Sequence, residues 1–349
     1  MDSPAQTKEM DSTLSGYSGV RVALLGASGF IGRWVARALS GQGADLVLIV
    51  RDRHSTELLA DSCGFHGEIV EMDMSNATAI SRLFERIRPA ITFNLAGYGV
   101  DPSERDERTM QAINVELVET VADAVASTRN AAWHSQTLVQ AGSALEYGST
   151  RGELSEDSPA NPVNEYGRSK LAATHALSRR AAETGLRAVT ARLFTVYGPG
   201  EHRGRLLPSL IEAARSGTSL PLTAGDQQRD FCYVDDVAEG LLRLGLGDAA
   251  PGETVNLATG RLTSVRSFAV LAAQTLSIPA ERLEFGAMPT RDDEMRQGRV
   301  NVDRLERITG WLPPTGIEEG IRRTWELESL ASDASGPLEI DKLTSGLRN

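Results

Sequence analysis

Three glycines spaced three residues apart, Gly26, Gly29 and Gly32, stand inside the run G-V-R-V-A-L-L-G-A-S-G-F-I-G-R-W-V-A-R-A-L from Gly19 to Leu39. Ahead of them, Val20 to Leu25 is an apolar run with two β-branched valines, broken only by Arg21, the pattern of a strand buried on both faces of a parallel sheet. Behind them, Ile31, Trp34, Val35, Ala38 and Leu39 recur at helical spacing. A strand that turns into a helix through positions without side chains leaves the first helical N–H groups free, and such a site favours a pyrophosphate. Gly26, Ser28, Gly29, Phe30, Ile31 and Gly32 are therefore the expected cradle of a dinucleotide. Their spacing, G-x-x-G-x-x-G, is one residue wider at the first gap than the commoner fingerprint.

Downstream, strand and helix patterns alternate as in a doubly wound parallel α/β sheet. Leu46–Val50, Glu68–Met72, Ile91–Leu95 and Thr137–Ala141 read as successive strands, and Glu104–Ala126 as one long helix. Past Phe194 the alternation breaks into shorter elements interrupted by Pro and Gly. The reading is a Rossmann-type dinucleotide domain over residues 19–195 plus about 235–262, and a smaller substrate domain over 196–234 and 263–331. A disordered leader, 1–18, and a tail, 332–349, flank them. At 349 residues with 41% hydrophobic content the chain can bury a core of that size, and no run is long enough to span a membrane. The net charge of −11 argues against a nucleic-acid partner. Two cysteines make no disulfide framework and five histidines lack ligand spacing, so no metal site and a cytoplasmic location are expected.

The end of the second strand is where such a fold reads the adenosine ribose, with an acidic residue for a 2′-hydroxyl or arginine for a 2′-phosphate. Here the order is Val50, Arg51, Asp52, Arg53. Arg51 and Arg53 favour NADP(H); NAD stays open if Asp52 serves one place late. Asp73 and Met74 are expected at the adenine, and Leu95, Ala96 and Gly97 where the nicotinamide ribose passes close to the backbone. In E-Y-G-R-S-K-L, Tyr166 and Lys170 fall one helical turn apart on one face. An ammonium beside a phenol is expected to lower its pKa from about 10 toward neutrality, suiting it to acid–base work. Ser143 follows directly on the fifth strand.

Six blocks in order, G-A-S-G-F-I-G (26–32), A-G-S-A-L-E-Y-G (141–148), Y-G-R-S-K (166–170), R-L-F-T-V-Y-G-P-G (192–200), R-D-F-C-Y-V-D-D-V-A (229–238) and N-L-A-T-G (256–260), carry a resemblance over about residues 20–330. The chain resembles the extended short-chain dehydrogenase/reductases, the NAD-dependent epimerase/dehydratase group that acts on nucleotide sugars. The resemblance implies that Ser143 hydrogen-bonds the reacting sugar oxygen, Tyr166 passes the proton, and Lys170 tunes Tyr166 and holds the nicotinamide ribose. It further implies that Asn114 supports the site from beneath, that Arg229 and Arg291 bind the nucleotide diphosphate, and that Asp293 lies near its ribose. Ala144 and Thr195 fall on substrate positions, Thr195 where many members carry asparagine. A homodimer is expected.

Departures narrow the reaction. The family's 4,6-dehydratases carry Asp-Glu directly after the Ser/Thr, its decarboxylases a Glu and its GDP-fucose-forming epimerase-reductases a Cys two residues after it; here those positions are Ala144 and Leu145. What remains is hydride transfer: NADPH-dependent reduction of a nucleoside diphosphate 4-keto-6-deoxyhexose at C4, with a 4-epimerase holding NAD tightly as the alternative. A non-catalytic NAD(P) sensor on the same fold is a third reading, disfavoured by the presence of both Tyr166 and Lys170.

Overall fold

The computed structural model describes residues 12–100, 103–130, 132–290, 295 and 297–334. Its strands are β1 (Arg21–Leu25), β2 (Asp45–Val50), β3 (Glu68–Glu71), β4 (Ile91–Asn94), β5 (Leu138–Ser143), β6 (Ala188–Leu193), β7 (Thr195–Tyr197), β8 (Leu220–Leu222), β9 (Gln228–Tyr233), β10 (Glu253–Leu257), β11 (Leu262–Ser264) and β12 (Leu283–Phe285). The helices are α1 (Phe30–Gly41), α2 (Arg53–Cys63), α3 (Ala77–Ile87), α4 (Glu107–Gln111), α5 (Leu117–Ser127), α6 (Glu165–Thr184), α7 (Leu206–Ser216), α8 (Val234–Leu246), α9 (Val265–Thr275), α10 (Asp303–Thr309) and α11 (Ile317–Ala334).

Seven parallel strands form the main sheet in the order β10-β6-β5-β4-β1-β2-β3. β1 and β4 lie side by side although two strands and three helices separate them in the chain. The order reverses there, and a crevice at such a reversal, beyond the carboxyl ends of the strands, is where this fold binds ligands. The apolar strands bury both faces: α1, α8 and β10 share one core cluster, and α3, α5 and α6 another on the opposite side. A three-stranded sheet, β11-β9-β7, and a two-stranded one, β12-β8, enclose a separate core in which Tyr197, Phe231 and Phe268 pack, the last two stacked 4.2 Å apart. Among the described residues no helix is long and apolar enough to cross a membrane.

The expected leader does not reach residue 18. Ser12–Tyr17 forms a 3₁₀ helix in which Leu14 and Tyr17 are buried, and the Tyr17 hydroxyl donates to Leu242 O at 2.6 Å. Polar neighbours hide this in the sequence, because the two side chains find their apolar surroundings only against α8. At the other end α11 continues through Ala334, past the expected start of the tail. The expected long helix over Glu104–Ala126 starts later, at Glu107, and carries a π-helical turn at Ala112–Glu116 between α4 and α5.

Candidate active site

Each glycine of the β1–α1 turn has its own reason to be glycine. Gly26 takes φ +78°, and a Cβ there would lie 2.9 Å from Ala96 N, so the turn is pressed against the end of β4. A Cβ on Gly32 would lie only 2.0 Å from Gly26 O, so the first turn of α1 closes onto the loop. Gly29 is the N-cap of α1 and brings no capping side chain, which leaves the N–H groups of the first turn for a ligand. This bare cradle at the sheet's reversal fits a dinucleotide pyrophosphate, with Ser28, Phe30 and Ile31 around it.

At the ribose end the three candidates separate. Asp52 is the N-cap of α2, its carboxylate accepting from Ser55 N at 3.0 Å and Ser55 Oγ at 2.8 Å, which holds it below the usual carboxylate range. Arg53 donates to Ile69 O and sits 3.6 Å from Glu57. Arg51 is exposed and has no partner among the described residues. Asp73 caps its own turn, one oxygen accepting from Ser75 N and Oγ at 2.9 and 2.7 Å, with Met74 buried behind it. Beyond β4, Leu95 donates to Leu25 O and Ala96 to Asn94 Oδ1, and Gly97 runs beneath Lys170, a Cβ there lying 3.4 Å from Nζ.

Asn114 sits in the π-helical turn, where the wider winding re-aims a side chain, as such bulges do at functional sites. It exchanges hydrogen bonds with the Tyr98 backbone at 2.9 and 2.8 Å and donates to Ser169 Oγ, whose hydroxyl in turn donates to Tyr166 O. A buried amide thus ties the loop after β4 to the helix that carries Tyr166 and Lys170.

The parallel pairing of β5 with β4 and β6 delivers Ser143, the last residue of β5, to the same crevice. Its hydroxyl accepts from Leu145 N at 3.2 Å, and it stands close enough to Tyr166 to favour the phenolate. On α6, Lys170 Nζ lies 5.8 Å from the centroid of the Tyr166 ring and donates to Ala141 O at 3.2 Å. The three chemistry-bearing residues are therefore brought together. The lowered phenol expected from Y-x-x-x-K is not found in the protein alone. Burial pushes Tyr166 well above its ordinary value and the negative charge of Glu146 adds to this, against a smaller opposing effect of Ser143. Burial pushes Lys170 down to about 8, with Glu146 opposing it. Desolvation of each group outweighs the pairing that spacing alone suggests.

Glu146 belongs to this site although it is not among the expected site residues. It is fully buried, accepting from Ser143 N (2.8 Å), Thr174 Oγ1 (3.0 Å) and Arg192 Nε (2.8 Å). Its signal in the sequence is the E-Y-G of the block 141–148, but its partners Thr174 and Arg192 lie 28 and 46 residues further on.

On the substrate side, Ala144 is buried beside Phe194, and Thr195 opens β7, half-buried. Arg229, on β9, donates to Met295 O at 2.8 Å. Arg291 and Asp293 lie outside the described residues. Among the described residues no cluster of His, Cys, Asp and Glu could hold a metal ion.

Comparison with known proteins agrees with this geometry. The chain is 32% identical over 326 residues to a dTDP-6-deoxy-L-talose 4-dehydrogenase (NAD(P)(+)) of Kitasatospora kifunensis, covering 89% of this chain and 96% of that one. To a UDP-glucose 4-epimerase of Mycolicibacterium smegmatis it is 28% identical, covering 88% and 98%. The solved structure of MoeE5 in complex with UDP-glucuronic acid and NAD superposes with a TM-score of 0.77 at 26% identity, covering 89% of this chain and 99% of MoeE5. Residues 22–258 match the NAD dependent epimerase/dehydratase family, and this chain belongs to that family, as an enzyme of the extended short-chain dehydrogenase/reductase type.

Proposed function

We propose that the enzyme is an NADPH-dependent reductase of a nucleoside diphosphate 4-keto-6-deoxyhexose, working at C4. The observation that carries this is the set of acids around Ser143. Ala144 and Leu145 hold no proton, and Glu146, the nearest carboxylate in sequence, has both oxygens engaged by Ser143, Thr174 and Arg192. A dehydratase needs a further acid and base at the sugar; a reductase needs one proton donor. The relative from Kitasatospora kifunensis, a 4-dehydrogenase using NAD(P)(+), supports the position and the cofactor class.

The Gly26–Gly32 cradle would hold the pyrophosphate of the dinucleotide, whose nicotinamide would supply the hydride. The Tyr166 hydroxyl then donates its proton to the C4 oxygen as charge develops on it, and the raised proton affinity of the phenol keeps that proton in place until it is needed. Ser143 donates a hydrogen bond to the same oxygen, in the manner of an oxyanion donor. The Lys170 ammonium, facing Gly97, is set to hold the nicotinamide ribose and to offset charge left on Tyr166. Arg51 takes the 2′-phosphate, since Asp52 is committed to Ser55 and Arg53 to Ile69 O. Arg229 with Arg291 holds the diphosphate, Asp293 the nucleoside ribose, and Thr195 and Ala144 border the sugar. The same reading has the enzyme act as a cytoplasmic homodimer, which light scattering on the purified protein tests.

Incubation with a panel of nucleoside diphosphate 4-keto-6-deoxyhexoses should oxidise NADPH in proportion to product, with the hydride placed at C4. The second reading, a 4-epimerase, is favoured by the likeness to the UDP-glucose 4-epimerase of Mycolicibacterium smegmatis. Interconversion of two C4-epimeric nucleotide sugars without net change in nicotinamide absorbance, and NAD retained through purification, is the result that selects it.

A further inference from the structure

Glu146 is a buried carboxylate hydrogen-bonded to Ser143 and, through Thr174, to the helix that carries Tyr166 and Lys170. The carboxylate fits only because residue 142 is glycine: a Cβ there would lie 2.8 Å from Glu146 Oε1. Through Ser143 N it fixes the end of β5, through Thr174 it fixes α6, and through Arg192 it reaches β6. Arg192 lies over the Tyr147 ring at 4.5 Å, and Tyr147 in turn donates to Asn256 Oδ1 on β10 at 2.7 Å. A charge placed this deep is costly unless it is paired and fully hydrogen-bonded, and Glu146 is both.

We propose that Glu146 is a positioning residue of this site: it clamps Ser143 and the Tyr166–Lys170 helix into one frame, with its carboxylate set among the groups that act on Lys170. The charged and titratable groups facing Lys170 are Glu146, from the turn after β5, and Tyr166, on its own helix. Facing Tyr166 are Glu146, Glu104 from the loop before α4, and Arg205 ahead of α7. Only Glu146 acts on both members of the pair. Burial drives Lys170 toward the neutral amine, and Glu146 is the group that opposes this. Arg192 anchors Glu146 and is not among the groups that act on Lys170.

The sequence makes a direct test available, because the chain has only three lysines, Lys8, Lys170 and Lys342, against a combined Lys and Arg count of 36. Full-length protein labelled with ¹³Cε-lysine gives three side-chain resonances, and Lys170→Met assigns the one from the site. Titrations are followed by NMR without nucleotide and again with NADPH. In wild type the Lys170 midpoint is expected near about 8 without nucleotide. Glu146→Gln keeps hydrogen-bonding groups but removes the charge, and should lower that midpoint by on the order of one pH unit. Thr174→Val loosens the clamp without touching a charge and should leave the midpoint in place. Should Glu146→Gln fail to fold, the double variant Glu146→Gln/Arg192→Gln, which strands no buried cation, must show the same fall. A midpoint unmoved in whichever charge-removing variant folds overturns the proposal. No substrate enters this titration, so its outcome is separate from the reductase reading, which Tyr166→Phe and the ketosugar panel decide.

Discussion

Replacing Lys170 with Met should abolish turnover yet stabilise the fold at neutral pH. The Lys170 ammonium is 4% exposed and held from its ordinary 10.5 down to about 8. At about 1.36 kcal/mol per unit, that depression makes the charged form a burden of about 3 kcal/mol on the native state. Met has a similar unbranched shape and no charge. The hydrogen bond it forfeits, to Ala141 O, leaves that carbonyl with its second donor, Gln140 Nε2 at 3.1 Å. Allowing about 1 kcal/mol for the lost bond, Lys170→Met should be more stable by about 1–3 kcal/mol. The pH dependence has a definite sign. Below about pH 8 both states hold the lysine proton and the penalty is fully present; between about 8 and 10.5 the unfolded chain keeps the proton while the native state has released it. The native state therefore gains stability as pH rises through that window, and by its upper end the advantage of the Met variant has given way to a deficit of about 1 kcal/mol from the lost hydrogen bond. Urea unfolding of nucleotide-stripped protein at pH 7, 9 and 10.5 measures this. A Met variant less stable than wild type at pH 7, or one whose advantage is constant with pH, refutes the reasoning.

Tyr166→Phe removes only the proton-carrying hydroxyl, so turnover of the ketosugar should fall by about two to four orders of magnitude with NADPH affinity nearly unchanged; near-normal turnover would remove Tyr166 from the mechanism. Arg51→Ala should weaken NADPH by about 1.5–3 kcal/mol, the worth of one charge-assisted contact, and leave NADH alone, while Arg53→Ala should do less because Arg53 already serves Ile69 O and Glu57. Equal losses for the two cofactors, measured by fluorescence titration, would point to NAD. Gly32→Ala puts a methyl group 2.0 Å from Gly26 O. The loop must move, which should cost about 1–3 kcal/mol of stability and most of the nucleotide affinity. Wild-type melting and binding in that variant would show that the turn is not the cradle.

The parts of this enzyme legible before any coordinates were those whose cause is local. Gly26 and Gly32 stand out because a strand-to-helix turn excludes side chains at close approach. The parallel sheet could be anticipated from the runs Val20–Leu25 and Leu46–Val50, which have no polar face to turn outward. Tyr166 and Lys170 come together through one turn of a helix, whatever else the chain does. The six sequence blocks and their order placed the chain among its relatives for the same reason: each block is a short piece of backbone doing one job.

Distance along the chain hid the rest. Ser12–Tyr17 looked like leader because its burial depends on α8, more than 200 residues away in sequence, as the bond from Tyr17 to Leu242 shows. The role of Glu146 was hidden because Thr174 and Arg192 reach it only once β5 and β6 pair and α6 packs across them. Arg53 read as a candidate equal to Arg51, and Asp52 as the alternative, until the Ile69 carbonyl and the N-cap of α2 claimed them. The proton affinities of Tyr166 and Lys170 were likewise beyond spacing: a phenol and an ammonium one turn apart attract in any helix, but how firmly each holds its proton depends on how much water the folded chain removes. Burial is a property of the whole assembly of strands and helices, and here it outweighs the pair interaction that the sequence displays.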